Sequence, residues 1–319
     1  MNKDVSALTR RIIEFSLLPG VGAMALRKII THIATGRSVD EWDAREVMAK
    51  YGRPSKKQIS SSLQADVDRV LAACKSDAQG VISPLDPDFP APLKHISDFP
   101  PLLYYKGELS SLNKKGVAVV GTREVSRLGV SWARQIAAYL AEHNVSVVSG
   151  LALGVDAAAH EGALSRKGVT TAVLAHGLDK ISPASNRPLA ESIIKEGGAL
   201  VGEHPPGTPP RRPEYVRRNR IQSGMSVASI IVESGEVGGA IHQGRFTHEQ
   251  ERFLICIRPP EGLMESGDFN YGGANFLVSQ FNAKAISSSA ELAEFIQSPA
   301  FENAFLDLQA SPWTEGKLL

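Results

Sequence analysis

Between residues 117 and 250 one pattern recurs: a short run of β-branched or small apolar residues, a turn built on glycine, then a stretch with helical apolar spacing. Val119-Val120-Gly121-Thr122-Arg123 leads to Leu128, Trp132, Ile136, Tyr139 and Leu140, which share one helical face. Val147-Val148-Ser149-Gly150-Leu151-Ala152-Leu153-Gly154-Val155-Asp156 leads into an alanine-rich helix over 155–164. Further strands are predicted at 169–174, 199–201, 227–232 and 253–257, with helices at 189–195, 215–222 and 240–250. Strands alternating with helices at this spacing require a parallel sheet with helices on both faces, an extended Rossmann-like α/β domain. In such a sheet the glycine-rich turns gather on the edge where the strands end, and their backbone N–H groups can hold a phosphate there.

Residues 1–75 read as a small helical domain of helix-hairpin-helix or SAM-like type. Leu8, Ile12, Phe15 and Leu18 have helical spacing, Pro19-Gly20-Val21-Gly22 breaks it, and residues 25–30 resume it. The turn either needs glycine for its backbone angles or offers amides to a nucleic-acid phosphate. Residues 76–299 form the α/β domain. It opens with a proline- and aspartate-rich segment over 84–101 that suits an extended connector, with a strand at Leu102-Leu103-Tyr104-Tyr105. The pattern loosens over 262–273, and a last strand and helix are predicted at 283–286 and 290–296. Residues 300–319 have weak periodicity and read as a tail.

No apolar run in the 319 residues reaches the roughly 18–20 that a membrane span needs, and residues 1–5 lack the apolar core of a signal peptide. A cytoplasmic location follows as an expectation, with no membrane partner. The two cysteines, Cys74 and Cys256, have no His or Cys at metal-ligand spacing and read as packing residues. No metal or cofactor is expected. A net charge of +1 makes nucleic-acid binding depend on where the cations lie, and they are clustered.

Four places carry candidate chemistry. Gly121, Thr122 and Arg123 put a turn, a hydroxyl and a guanidinium at a strand end, a set able to grip phosphate. Ser149, Gly150 and Leu151 open the next turn, but no G-x-G-x-x-G string follows any strand, which argues against a dinucleotide enzyme. Asp156, in the first turn of its helix, has an ordinary role as a helix-dipole partner. The run from Arg211 to Arg220 holds five arginines against one glutamate and carries Tyr215 for stacking, which favours the phosphate backbone of a single strand. Gly238 and Gly239 open a helix with free amides. Glu233, His242 or Glu249 could each be named as a general base, but no pair of residues fixes a reaction, and Glu249 and Gln250 are expected to face solvent.

Taken in order, these strings resemble the DNA-processing protein A (DprA/Smf) family. They are Gly121-Thr122-Arg123; Ser149 to Asp156 with Ala159-His160; Gly177-Leu178-Asp179 leading to Asn186-Arg187; Glu203 with Pro205-Pro206-Gly207; Arg218-Asn219-Arg220-Ile221; and Val232-Glu233 with Gly239-Ala240. The resemblance implies a non-enzymatic single-stranded-DNA-binding protein that protects DNA and presents it to a RecA-type recombinase in recombination and natural transformation. It also implies a homodimer formed through the Rossmann-like domain. Arg123 and the Ser149-Gly150 turn would grip phosphates, with Lys180 and Arg218 nearby. The whole expected contact set adds Gly121, Thr122, Leu151, Asn186, Arg187, Arg217, Asn219, Arg220, Gly238 and Gly239.

The chain departs from the family at the same edge. Ser182 stands where an aromatic usually precedes Pro183; Gly238-Gly239-Ala240-Ile241-His242-Gln243 replaces a Ser-Gly-Ser/Ala-Leu-Ile-Thr entry; and Arg258-Pro259-Pro260 replaces a Pro-Gly. Many members continue into a winged-helix domain, for which the residues after 300 are too few. These changes keep two other readings open: a nucleotide-binding sensor, and a phosphoribohydrolase-like enzyme of a related fold. Either could serve in defence against foreign DNA. The Pro-Gly-Gly-x-Gly-Thr string of the phosphoribohydrolases does not occur here.

Overall fold

The computed structural model describes residues 4–36, 42–260 and 269–313. Its N-terminal helices are α1 (Ala7–Ser16), α2 (Ala23–Ala34), α3 (Ala44–Tyr51) and α4 (Leu63–Ser76). Ser6 caps α1 by accepting from Thr9 N–H, and Asp43 and Glu46 form a reciprocal capping box on α3. Between α1 and α2 Gly20 takes φ +80, and a Cβ there would sit 2.1 Å from the Arg53 carbonyl, so this turn needs glycine and packs against residue 53.

Strands β1 (Gly80–Ile82), β2 (Leu103–Gly107), β3 (Gly116–Val120), β4 (Ser146–Ser149), β5 (Thr170–Leu174), β6 (Ala199–Gly202), β7 (Ala228–Ile231), β8 (Phe253–Ile257) and β9 (Lys284–Ile286) form a nine-stranded sheet among the described residues. Its order is β1-β2-β6-β5-β4-β3-β7-β8-β9, parallel except at the two antiparallel pairs β1/β2 and β2/β6. The strands β3 to β7 are almost wholly buried runs, as a sheet covered on both faces requires. Strand order reverses between β3 and β7. A crevice opens at such a reversal because the chain leaves the two strand ends in opposite directions.

The sheet's helices are α5 (Ala91–Lys94), α6 (Arg127–Glu142), α7 (Val155–Ser165), α8 (Arg187–Lys195), α9 (Arg212–Gly224), α10 (Gly239–Glu249), α11 (Gly272–Phe281), α12 (Ser289–Ile296) and α13 (Pro299–Gln309). Val117, Val119, Ile230 and Val232 point to one face, where Ala137, Ala159, Phe295 and Phe301 pack on them. Val120 and Ile231 point to the other, against Ala240, Ile241 and Leu277. Another apolar cluster runs without a break from Ile12, Ile29 and Val67 through Leu93 and Leu103 to Val173 and Leu200, so the N-terminal helices pack into the sheet's own core.

Three stretches gain detail beyond what the sequence gives. The 84–101 segment is mostly buried and includes α5; Phe89 and Phe99 anchor it, and Asp86 accepts from Ser83 N–H at 2.8 Å and from the Thr9 hydroxyl of α1. The tail beyond 299 begins as α13, capped by Ser298, with Phe301 and Leu308 buried. The loosened stretch over 262–273 gives way to α11 at Gly272, while residues 261–268 lie outside the described residues. Both cysteines are buried, and burial pushes Cys74 up to about 11 and Cys256 up to about 12, as inert packing thiols require. Among the described residues no helix is long and apolar enough to cross a membrane.

Candidate nucleic-acid interface

At the reversal between β3 and β7 lies a cleft of about 350 Å³. Its walls come from the loop after β3 (Gly121, Thr122, Arg123, Glu124), from α9 (Tyr215, Arg218, Asn219, Gln222) and from the loop after β7 with the start of α10 (Ser234 to Ala240). Two of the glycine-rich turns of the sequence therefore meet helix α9 here, and Ala152 and Asp156 reach the same cleft from the turn after β4.

The β3 loop is fixed from behind by Glu233. Thr122 N–H donates to the Glu233 carbonyl at 2.8 Å. The Glu233 carboxylate accepts from Ser126 N–H at 3.1 Å, from the Ser126 hydroxyl at 2.8 Å and from Asn270 N–H at 3.1 Å. Glu233 is buried and fully engaged, a brace rather than a free base. His242 is half-buried on α10, and Glu249 is exposed at its far end. Gln250 does not face solvent: it donates to the Arg220 carbonyl at 3.0 Å and accepts from the Ser223 hydroxyl at 2.7 Å.

The β4 turn lies beneath the rim, not on it. The Ser149 hydroxyl is buried and donates to the Val119 carbonyl at 2.7 Å, so it is spent inside the sheet. Leu151 is buried in the left-handed region at φ +58, an uncommon conformation for a leucine. Gly154 takes φ +80, and a Cβ there would meet the Thr122 carbonyl at 2.4 Å; glycine lets the two loops touch. Asp156 is more than a helix-dipole partner. Its buried carboxylate accepts from Gly150 N–H at 3.1 Å and Ala152 N–H at 3.4 Å, and burial raises its pKa against the pull of Arg218. Asn186, also buried, donates to the carbonyls of Leu151 and Ala152 at 2.9 and 3.2 Å.

Helix α9 sends its arginines in different directions. Arg218 is 6% exposed; its guanidinium donates to the Val173 carbonyl and lies against Gly150, where a Cβ would come within 1.9 Å of Nη1. Burial pushes Arg218 down to about 10, which leaves it charged at neutral pH, and Asp156 is the carboxylate that most favours that charge. Arg220 turns away from the cleft and takes both oxygens of Glu203, at 2.9 and 2.7 Å, with Asp98 at 3.0 Å. Burial alone would raise the Glu203 carboxyl, but Arg220 outweighs it and holds it below its ordinary value. Arg217 is exposed and only loosely paired with Glu214, at 3.4 Å. Asn219 ties α9 to the start of α10 by donating to the Gly239 carbonyl at 3.0 Å.

On the open side Arg123 is exposed, with its guanidinium 5.3 Å from the centre of the Tyr215 ring. The Tyr215 hydroxyl is 3.2 Å from the Ser182 hydroxyl, which stands where the family usually has an aromatic. Lys180 and Arg187 are exposed on the loop after β5 and at the start of α8. Gly238, at φ +129, and Gly239 open α10 with no side-chain cap, so its first amides face the cleft without partners from a cap. Of the expected contact set, Gly121, Thr122, Arg123, Arg218, Asn219, Gly238 and Gly239 line the cleft. Lys180, Arg187 and Arg217 are exposed beside it, whereas Ser149, Gly150, Leu151, Asn186 and Arg220 act from inside.

Sequence reasoning passed over Gln222, which is 1% exposed and lines the cleft, because nothing in its neighbourhood marks a binding glutamine. The sequence also gives no sign that Glu203, His204 and Glu214 come together, with ligand atoms within 4.8 Å of one another. There Arg220 already holds Glu203, and the group reads as an ion-pair network.

A family model, DNA recombination-mediator protein A, matches residues 80–297. Protein Smf of Escherichia coli is 37% identical over 67% of this chain, which spans 56% of that relative's length. The DNA processing protein A of Streptococcus pneumoniae superposes with a TM-score of 0.72 and 26% identity over 92% of this chain and 99% of that one. The DNA processing protein A of Helicobacter pylori, described for its single-stranded DNA binding mode, has a TM-score of 0.57 and 23% identity over 72% of this chain and 95% of that one, a likeness of fold. The strand reversal, the three turns and the matched span agree: this chain belongs to the DNA recombination-mediator protein A family.

Proposed function

We propose that the protein works in DNA processing by holding single-stranded DNA along the rim of the cleft, without chemistry on the strand, and that as a homodimer it presents the strand to a RecA-type recombinase. The observation that carries this is the pairing of exposed Arg123 with Tyr215 beside the uncapped start of α10. Guanidinium and amides suit phosphates, and the ring offers any base a face on which to stack. Lys180, Arg187 and Arg217 extend the cationic edge on either side. The names of the relatives, which speak of DNA processing, support the same reading. Against a catalytic role, Asp156, the buried carboxylate in the cleft wall, and Glu233, behind the β3 loop, are both taken up by backbone amides. The helical region over 1–75 serves as a docked module of the same body, joined to the α/β region through the shared core.

Filter binding of a labelled single strand against a duplex of the same sequence tests the proposal. Salt-sensitive binding of the single strand, indifferent to sequence and weakened by Arg123→Ala, is the expected result. Retention of mononucleotides alone would instead make the cleft a nucleotide sensor, the reading that its volume of about 350 Å³ favours second.

A further inference from the structure

A site that only tracks a strand needs an open groove, yet this cleft has a floor. The floor is made by Arg218 and Gln222, which are 6% and 1% exposed and both line the cleft. Arg218 Nε and Gln222 Nε2 are buried donors with no hydrogen-bond partner among the described residues. Buried donors without partners are costly, and a bound acceptor would relieve them. The uncapped amides of α10 open into the same cleft with the positive end of the helix dipole behind them. The wall also carries the Asp156 carboxylate, which already accepts from two amides and offsets the Arg218 charge, and Glu124, which is exposed.

We propose that this cleft seats a phosphomonoester, and through it the phosphorylated end of a DNA strand. The inference rests on the strand-binding reading above and narrows it. An internal phosphodiester has chain leaving on both sides, whereas a terminal phosphate has it on one side only and can turn more freely towards Arg218 and Gln222. A monoester also carries about −1.5 to −2 charge at neutral pH against −1 for a diester, so a lining of unpartnered donors rewards it more. A volume of about 350 Å³ is in the range of small-molecule sites, enough for one nucleotide but not for a folded-in length of strand.

The test uses the full chain and oligothymidylates of one length that carry a 5′-phosphate, a 3′-phosphate or only hydroxyl ends, together with a covalently closed single-stranded circle. One phosphorylated end is expected to bind about tenfold tighter than the hydroxyl-ended strand, the worth of one charge-assisted hydrogen bond. The circle should match the hydroxyl-ended strand, and thymidine 5′-monophosphate should compete away the added affinity. Gln222→Met should reduce that increment severalfold; should this variant not fold, competition by the mononucleotide on the unaltered protein decides. If all four strands bind alike and the mononucleotide does not compete, the seat is refuted while strand binding stands. If the mononucleotide binds and no strand does, the seat stands as a free-nucleotide site and strand binding falls. If nothing binds, both fall.

Discussion

Arg217, Arg218 and Arg220 lie within four positions of α9 and do three different things, because a helix turns its side chains by about 100° per residue. Arg217 meets solvent, Arg218 is buried against Gly150, and Arg220 clamps Glu203. A run of arginines is legible in a sequence as a cationic segment; which of them reaches a ligand is decided by neighbours such as Glu203 and Asp156 that sit far away along the chain. Arg218→Ala is therefore expected to act mainly on stability, costing about 3–5 kcal/mol by leaving Asp156 buried without its counter-charge. Arg123→Ala should leave the melting temperature nearly unchanged and weaken single-strand binding by about tenfold. Thermal melts paired with binding titrations separate the two, and an Arg218→Ala protein that melts normally would refute the first. His160 predicts a pH dependence. Thr170 donates to the Val147 carbonyl, so its hydroxyl accepts from His160 Nδ1–H at 2.7 Å and leaves Nε2 bare in the interior. Burial, aided by Arg218, pushes this histidine from 6.5 down to about 3. Between those values the unfolded chain binds a proton that the folded one refuses, so stability is lost as pH falls from 6.5 towards about 3. Asp156, raised by burial, runs the other way from 3.8 upward and offsets part of the loss. His160→Gln should flatten the decline in melting temperature between about pH 7 and pH 5.

At the scale of elements, the strands were legible because buried parallel strands are short apolar runs between glycine turns, and β8 occurs at the residues expected. What escaped was made of residues whose role depends on contacts made across the fold. The brief β1 and the four-residue α5 carry too few apolar positions to show a period, and they exist because Val81 and Leu93 find the core; α13 does space Phe301, Ala304, Phe305 and Leu308 as a helix, but over a single short stretch near the end of the sequence. The Glu233 brace belongs to the same class: from the sequence it is an acid at a strand end, whereas its work is to join the β3 loop to residue 270. Glu233→Ala should leave the Ser126 and Asn270 amides without their acceptor, which costs about 2–3 kcal/mol. Hydrogen exchange should then quicken at those two amides while the β4 and β5 amides stay protected. Loss of protection across the whole sheet at once would mean that Glu233 supports the global fold instead of the rim.

For the whole molecule, 35 Lys and Arg against 34 Asp and Glu leave almost no net field to draw in a polyanion from a distance. Affinity for a strand must then come from cations at the carboxyl edge of the sheet, within a Debye length of the phosphates they meet. Arg123, Lys180, Arg187 and Arg217 are exposed, while Arg218 is buried in the floor of the cleft and Arg220 is committed to Glu203. If about three to five phosphates are neutralised per strand, the logarithm of the binding constant should fall against the logarithm of salt concentration with a slope of about −2 to −4. Removing Arg123 should make that slope shallower by about 0.7, whereas Arg220→Ala should lower the folded fraction and leave the slope of the folded protein unchanged. The slope discriminates because a seat for one phosphomonoester neutralises a single ligand group and depends weakly on salt, whereas a strand held along the edge depends on it steeply. Binding that stays constant between about 50 and 200 mM salt would show that the edge does not hold a strand by its charges, whatever the cleft itself retains.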